Sequence, residues 1–157
     1  MLLGKFGIRN RVILMIKLSN EKSKELDLLS RSVRRNILSM VTASKSSHVG
    51  SAFSIVEILV VLYRLILKND PAHPKDLNRD RFLLSKGHAC SAVYSILGEL
   101  GYFDKGLFKE FSKDGSILMS HINSEVPGVE FSTGSLGHAL PVGLGIDRKS
   151  TRLNSSH

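Results

Sequence analysis

The chain lacks most of the features that would place it at once. It has a single cysteine, Cys90, so no internal disulfide can form; a disulfide-stapled secreted domain is excluded, and a reducing, cytoplasmic setting is expected. Long hydrophobic runs are missing as well. The most continuous, Phe53–Leu67, contains Glu57 and Arg64 and falls short of a comfortable bilayer span, while Val12–Leu18 is shorter and carries no small-residue cleavage site. No membrane segment and no secretion signal are therefore expected. Internal repeats and low-complexity stretches are absent, as are the nucleophile elbow, the Walker loop and the dinucleotide fingerprint. No histidine pair has the i, i+4 spacing of a metalloprotease helix and no cysteine cluster supports zinc, so no metal ligands are assigned.

Charge of one sign is not lacking, but it is not where a nucleic-acid surface would need it. The net charge is +8, of which residues 1–14 carry +3 and residues 147–157 carry +2, leaving +3 over 15–146. Basic residues interleaved with base-stacking aromatics are not seen, and no nucleic-acid partner is expected.

What is present is one domain's worth of chain with 42% apolar residues, enough for a real core. Residues 1–14 read as a non-native or disordered extension. From Ser19-Asn20-Glu21, a polar start that can cap a helix, Leu26, Leu29, Val33, Ile37, Met40 and Val41 recur at three- and four-residue steps and predict a long helix to about Ser44. Ser54 and Glu57 form a capping-box pair, which predicts a second helix with Ile55, Ile58, Leu59, Leu62 and Ile66 inward. Asn69–Arg79, with Pro71 and Pro74, is loop. Arg81–Ser85 reads as a short buried strand, followed by a helix from about His88 to Gly101. Asp104 caps a short helix through Phe111, residues 113–116 turn, and 120–133 is loop. Gly134–Ile146 is a glycine-rich loop entering another helix. Helices around a buried strand predict an α/β fold.

Three histidines stand beside glycine and small hydroxyl residues, in Ser46-Ser47-His48-Val49-Gly50-Ser51, Ser85-Lys86-Gly87-His88 and Gly134-Ser135-Leu136-Gly137-His138. Glycine permits close backbone approach, and imidazole can bond phosphate or hydroxyl oxygens and move protons near neutrality. At the carboxyl end of a strand, Ser85-Lys86-Gly87-His88 suits an anion; taken alone, it reads first as an ordinary strand-to-helix turn with a solvated lysine. His48 by itself reads as a loop surface residue, His121 as structural and His73 as solvated. Among scattered carboxylates, Glu130, just upstream of the glycine loop, is the one to watch.

Taken in order, these segments resemble the N-terminal, cofactor-binding part of transketolase, over about Ser30 to Ile146. The carrying residues are Ser47–Ser51, Asp80–His88, the run Val126-Pro127-Gly128-Val129-Glu130-Phe131-Ser132-Thr133, and Gly134-Ser135-Leu136-Gly137. They are most similar to the N-terminal subunit of split transketolases. The resemblance implies a partial thiamine diphosphate-binding fold, a parallel sheet flanked by helices, and transfer of a two-carbon ketol unit between phosphorylated sugars with the cofactor as electron sink. It implies that His88 contacts the cofactor diphosphate and the substrate, that His48 assists proton transfer, and that His121 bonds hydroxyls of the transferred fragment. It further implies that Gly134, Ser135 and Leu136 hold the cofactor, that a C-terminal half on a separate chain or in a missing part completes the site, and that the whole enzyme is a homo-oligomer. Departures are Ser47 where glycine is common, Ile122 and Ser135 where proline is common, and His138 where glutamine is frequent. The family's Gly-Asp-Gly segment and its asparagine, which bind Mg2+ or a similar cation, are expected after the glycine loop and are not in this chain. Residues 147–157 resemble a translated sequencing adapter and read as a non-native tail, so 15–146 is taken as an incomplete domain. Alternatives are another thiamine diphosphate-dependent transferase, such as a deoxyxylulose phosphate synthase, or a non-catalytic binding fragment.

Overall fold

Helix α1, Asn20–Ser44, forms where the periodicity predicts it. Its first turn is closed by Ser19, whose Oγ accepts from the Lys22 amide at 3.2 Å. It stops where Lys45 takes a left-handed conformation (φ 52°) and the Ser46 amide folds back onto the Val41 carbonyl. The structure, a computed structural model, describes residues 18–154, with side-chain surroundings through 148. The predicted extension at 1–14 lies outside the described residues, as do 155–157 of the predicted tail.

The second predicted helix, from Ser54, is two pieces, α3 (Val56–Val61) and a π-helical turn, Leu62–Ile66, and a short helix not predicted, α2 (Val49–Phe53), precedes it where the His48 loop was expected. The capping box does not form. Ser54 Oγ donates to the Ser51 carbonyl at 2.8 Å and so closes α2 instead of opening α3, and Glu57 pairs with Arg34 on α1. The bend shifts the buried register, so Val56, Leu59, Val60 and Tyr63 face the core while Ile58 and Ile66 are 57% and 49% exposed. Val49–Ile66 does have the length and mean hydropathy, 1.9, of a spanning segment. Its broken backbone, its ion-paired Glu57 and Arg64, and its packing on α1 and on the next helix make it a wall of the core.

A 3-10 turn, Gly87–Ala89, leads into α4, Cys90–Leu100, which ends at left-handed Gly101 (φ 86°). Asp104 caps a second 3-10 turn, Lys105–Glu110, by accepting from the Gly106 amide. After a long irregular stretch the chain enters α5, Ala139–Asn154. The core lies between α1, α3 and α4, around Val33, Ile37, Leu59, Ile96 and Leu97. Gly98 allows Phe108 to press on α4, since a Cβ there would lie 2.5 Å from the ring.

The predicted sheet is the main correction: among the described residues no strand occurs. Arg81–Ser85 passes through the fold with Leu84 buried, but a strand exists only by backbone pairing with a neighbour, and the irregular stretch beside it meets it through the side chains of Glu130 and Thr133. The helix predicted to follow the glycine-rich loop within Gly134–Ile146 has a helical backbone through Asn154, into the predicted tail.

Candidate active site

Three segments distant in sequence bring His48, His88 and His121 together. The ring centroids of His88 lie 4.8 Å from those of both His48 and His121, and His48 and His121 are 6.4 Å apart. They line one cavity of about 390 Å3, with Lys45, Ser46 and Cys90 among the other lining residues.

Each histidine is placed by its local backbone. His48 sits between α1 and α2 with φ 76°, unusual for a residue with a Cβ, and its carbonyl accepts from the Ala52 amide. His88 occupies the 3-10 turn that opens α4, so its direction is set by the most buried helix in the molecule. His121 lies in a loop held from behind. The Ile122 amide donates to the Gly87 carbonyl at 3.3 Å, and the Tyr94 hydroxyl donates to the His121 carbonyl at 2.8 Å.

Gly87 joins this cavity to the glycine loop. A Cβ on it would lie 2.2 Å from the Thr133 carbonyl oxygen and 2.9 Å from Thr133 Oγ1, so only glycine lets the two segments touch. Thr133 Oγ1 donates to the Leu84 carbonyl, and the Ala139 amide donates to Ser85 Oγ at 3.3 Å. Gly134, Ser135 and Leu136 follow directly. They are exposed, Leu136 by 68%, and do not line the histidine cavity. They follow Thr133, the residue that meets Gly87, and a Cβ on Gly134 would find only open space.

The remaining sequence candidates resolve into supports. Glu130 is nearly buried and held by Arg79 and by Arg81, the latter at 2.7 Å, so it pins the 79–81 segment against the approach to the glycine loop. Lys86 donates to the Ser51 carbonyl and to Ser54 Oγ at 2.9 and 2.8 Å, and so ties the turn to α2. His138 packs edge-on to Phe131. His73 is solvated as expected and bonds Asp70 at 2.7 Å, which raises its pKa. Cys90 is buried, and burial pushes its thiol up to about 12, far from a neutral-pH nucleophile. Sequence reasoning missed Tyr94 and Thr133. The one signal for Tyr94 was a hydroxyl-bearing aromatic inside a run of small and apolar residues, seven positions after Gly87.

Against this geometry, the family model described as "Transketolase, thiamine diphosphate binding domain" matches residues 27–157. Among curated proteins the chain is similar to an apulose-4-phosphate transketolase subunit from Phocaeicola vulgatus, 39% identical over 77% of this chain and 43% of that protein. It is also similar to the 6-deoxy-6-sulfo-D-fructose transketolase subunit of a Clostridium species, 34% identical over 81% of this chain and 46% of that one. Among solved structures, a Pichia stipitis transketolase in complex with sedoheptulose-7-phosphate superposes with a TM-score of 0.73 at 34% identity, over 79% of this chain and 18% of that one. The chain spans under half the length of the curated subunits it matches.

Proposed function

The chain belongs to the transketolase family, as its thiamine diphosphate-binding part, and from that premise we propose that it is a segment of a transketolase subunit that moves two-carbon ketol units between phosphorylated sugars. The observation that carries the reading is the gathering of His48, His88 and His121 around one cavity, with Gly87 packed on Thr133, the residue before the glycine loop. No observation favours a deoxyxylulose phosphate synthase or a non-catalytic fragment over it.

The residues fit the cofactor. The open space before Gly134 admits a ligand to the backbone, and the exposed Leu136 offers an apolar surface for a ring to cover. His88, Gly134, Ser135 and Leu136 would hold thiamine diphosphate, which when bound supplies the electron sink for breaking a carbon–carbon bond beside a carbonyl. For a divalent cation the described residues contain no group of three His, Cys, Asp or Glu that could hold one, and its ligands are assigned to the remainder of the subunit. The same remainder is assigned the neighbouring strands that would turn Arg81–Ser85 into part of a parallel sheet.

The histidines do the rest of the work proposed. An imidazole nitrogen of His48 takes or returns the proton of a substrate hydroxyl, as a general acid–base group placed at the substrate can. His88, which lines the cavity next to Gly87, donates to an oxygen of the cofactor or the substrate. His121 fixes the hydroxyls of the fragment in transit, so that the reacting carbon is held in one orientation. The hydroxyl-rich wall around Ser46 and Ser47 suits a polyol. A C-terminal half, on a separate chain or in the remainder of the same one, a homo-oligomeric assembly and a cytoplasmic setting complete the proposal.

The test uses the full-length subunit carrying this segment, joined to its C-terminal half and supplied with thiamine diphosphate, magnesium and ketose and aldose phosphates. His121→Ala should lower kcat/KM roughly ten- to a thousand-fold, about 1.4–4 kcal/mol, with cofactor affinity almost unchanged. Absence of any ketol transfer by the parent enzyme would overturn the function. Loss of cofactor binding in step with activity would move His121 out of the substrate role.

A further inference from the structure

One face of the helical segment that begins at Gly87 grips the His121 loop at three points. The Gly87 carbonyl accepts from the Ile122 amide at 3.3 Å, Cys90 Sγ reaches the Met119 carbonyl at 3.5 Å, and Tyr94 lies one turn further on. Positions 87, 90 and 94 follow helical spacing, so the three rungs lie on one face. Tyr94 is the strongest of them. It is fully buried, and its hydroxyl serves both sides of the loop: it donates to the His121 carbonyl at 2.8 Å and accepts from the Asn123 amide at 2.9 Å. Asn123 is itself anchored, its side chain donating to the Ile117 carbonyl at 2.9 Å. His88 opens the same helical segment.

We infer that Tyr94 is a positioning residue that sets His121 against His88, locking the spacing of two imidazoles through a single buried hydroxyl. Because the turn that carries His88 runs directly into the buried helix that carries Tyr94, the two Tyr94 bonds tie the backbone of the His121 loop to the element that places His88. Deleting the hydroxyl leaves the ring to fill its space but orphans the Asn123 amide and the His121 carbonyl, which must then find water or move. The consequence for catalysis rests on the proposed substrate role of His121; the geometric claim does not.

The two are tested apart. In the complete chain, Tyr94→Phe should preserve the fold by circular dichroism, speed hydrogen exchange of the Asn123 amide at least about tenfold, and abolish the nuclear Overhauser contact between the His88 and His121 rings. An unchanged ring-to-ring contact, with or without faster Asn123 exchange, would overturn the inference and leave Tyr94 a plain core residue. Should Tyr94→Phe fold poorly, Cys90→Ala removes a weaker rung, and a partial loss of the same contact is expected; no loss overturns the inference. In the assembled enzyme Tyr94→Phe should lower kcat by about ten- to a hundredfold with cofactor affinity intact. If the ring contact is lost but kcat is unchanged, the positioning stands and the catalytic role of His121 falls.

Discussion

Helix α4 buries nine of its eleven residues, whereas in α5, through Arg148, only Ala139 is buried. Both carry leucine and glycine. In α4 the leucine Leu97 is fully enclosed and Gly98 admits Phe108 to within contact; in α5 Leu140 and Leu144 are 72% and 66% exposed, and a Cβ on Gly143 or Gly145 would meet nothing. Apolar content does not decide burial. Neighbours do, and α4 has α1, α2, α3 and the 3-10 turn against it. The difference divides the site. His88 and, through Tyr94, His121 are mounted on the sealed helix, while Gly134, Ser135 and Leu136 lead into the open one. The histidine half is thus built in advance, and the glycine-loop half hangs from it by Gly87, Thr133 and Ser85.

The contrast is broken or upheld first by truncation. Leu97→Ala removes a side chain with no exposed surface and should destabilise the fold by about 2–5 kcal/mol. Leu144→Ala should shift stability by no more than about 0.5 kcal/mol. Urea unfolding of both variants decides the matter, and comparable losses would mean that α5 is covered in solution.

Next comes the junction. Gly87→Ala forces a methyl against the Thr133 carbonyl at a distance no real contact tolerates, and the backbone on one side must yield. Overpacking of this kind costs about 1–3 kcal/mol. Because the Gly87 carbonyl also holds Ile122, the His121 loop should move with it. The expected readings are a lowered urea midpoint and altered shifts in both the 120–123 and 133–138 loops; a variant that perturbs neither would show that the two halves are independent.

How far the sequence could foresee this follows the same division. Helix α1 was legible from cap to stop, because Ser19, its apolar steps and the end at Ser44 all act within a few residues of one another. Helix α4 and the Asp104 cap were legible for the same reason. The break at Ser54 was not. Capping-box chemistry was available there, but Ser54 bonds backward to Ser51 and takes Lys86 from a distant turn, a tertiary choice that local pattern does not encode. The strand at Arg81–Ser85 failed because pairing is a property of two segments. At the site, the residues by themselves grouped His138 with His48 and His88 and read His121 as structural; only the resemblance joined His121 to the site, and the meeting of His48, His88 and His121 involves Tyr94, Thr133 and the missing Cβ of Gly87, whose roles appear only when loops are placed. Glu130 was singled out rightly as unusual, yet its partners Arg79 and Arg81 make it a fastener.

A gentler probe of the same boundary is Ser85→Ala. Its hydroxyl accepts from the first amide of α5 at 3.3 Å, a long bond between the two halves. Its loss should cost toward the low end of about 0.5–1.5 kcal/mol. More telling is where the cost falls. Amide exchange should quicken in the first turn of α5 and stay unchanged across α4. Equal acceleration in both helices would mean that they open as one unit.

The smallest effect, and the one confined most strictly to the sealed half, is expected from acid. Glu99 on α4 accepts from Ser32 Oγ and Asn36 Nδ2 of α1, each at 2.7 Å, and pairs with Lys105 at 3.2 Å. Burial alone would raise its pKa; the bonds from Ser32 and Asn36 and the Lys105 ammonium outweigh it, and the carboxyl sits below the usual 4.5. A folded-state value below the unfolded one means that the ionised group contributes stability above about pH 4.5, and that this contribution fades as pH falls through the folded value. Between pH 7 and 5 Glu99 should therefore add no slope to the stability curve, and below 4.5 it should add a downward one. Glu99→Gln should flatten that acid limb while lowering stability at pH 7. The tether at Ser85 contains no titrating group, so local opening of α5, corrected for intrinsic exchange chemistry, should not follow the same curve. If urea midpoints taken from pH 7 to 3 fall as steeply in Glu99→Gln as in the parent, the carboxylate does not bind α1 to α4 in solution, and the sealed half owes its cohesion to apolar packing alone.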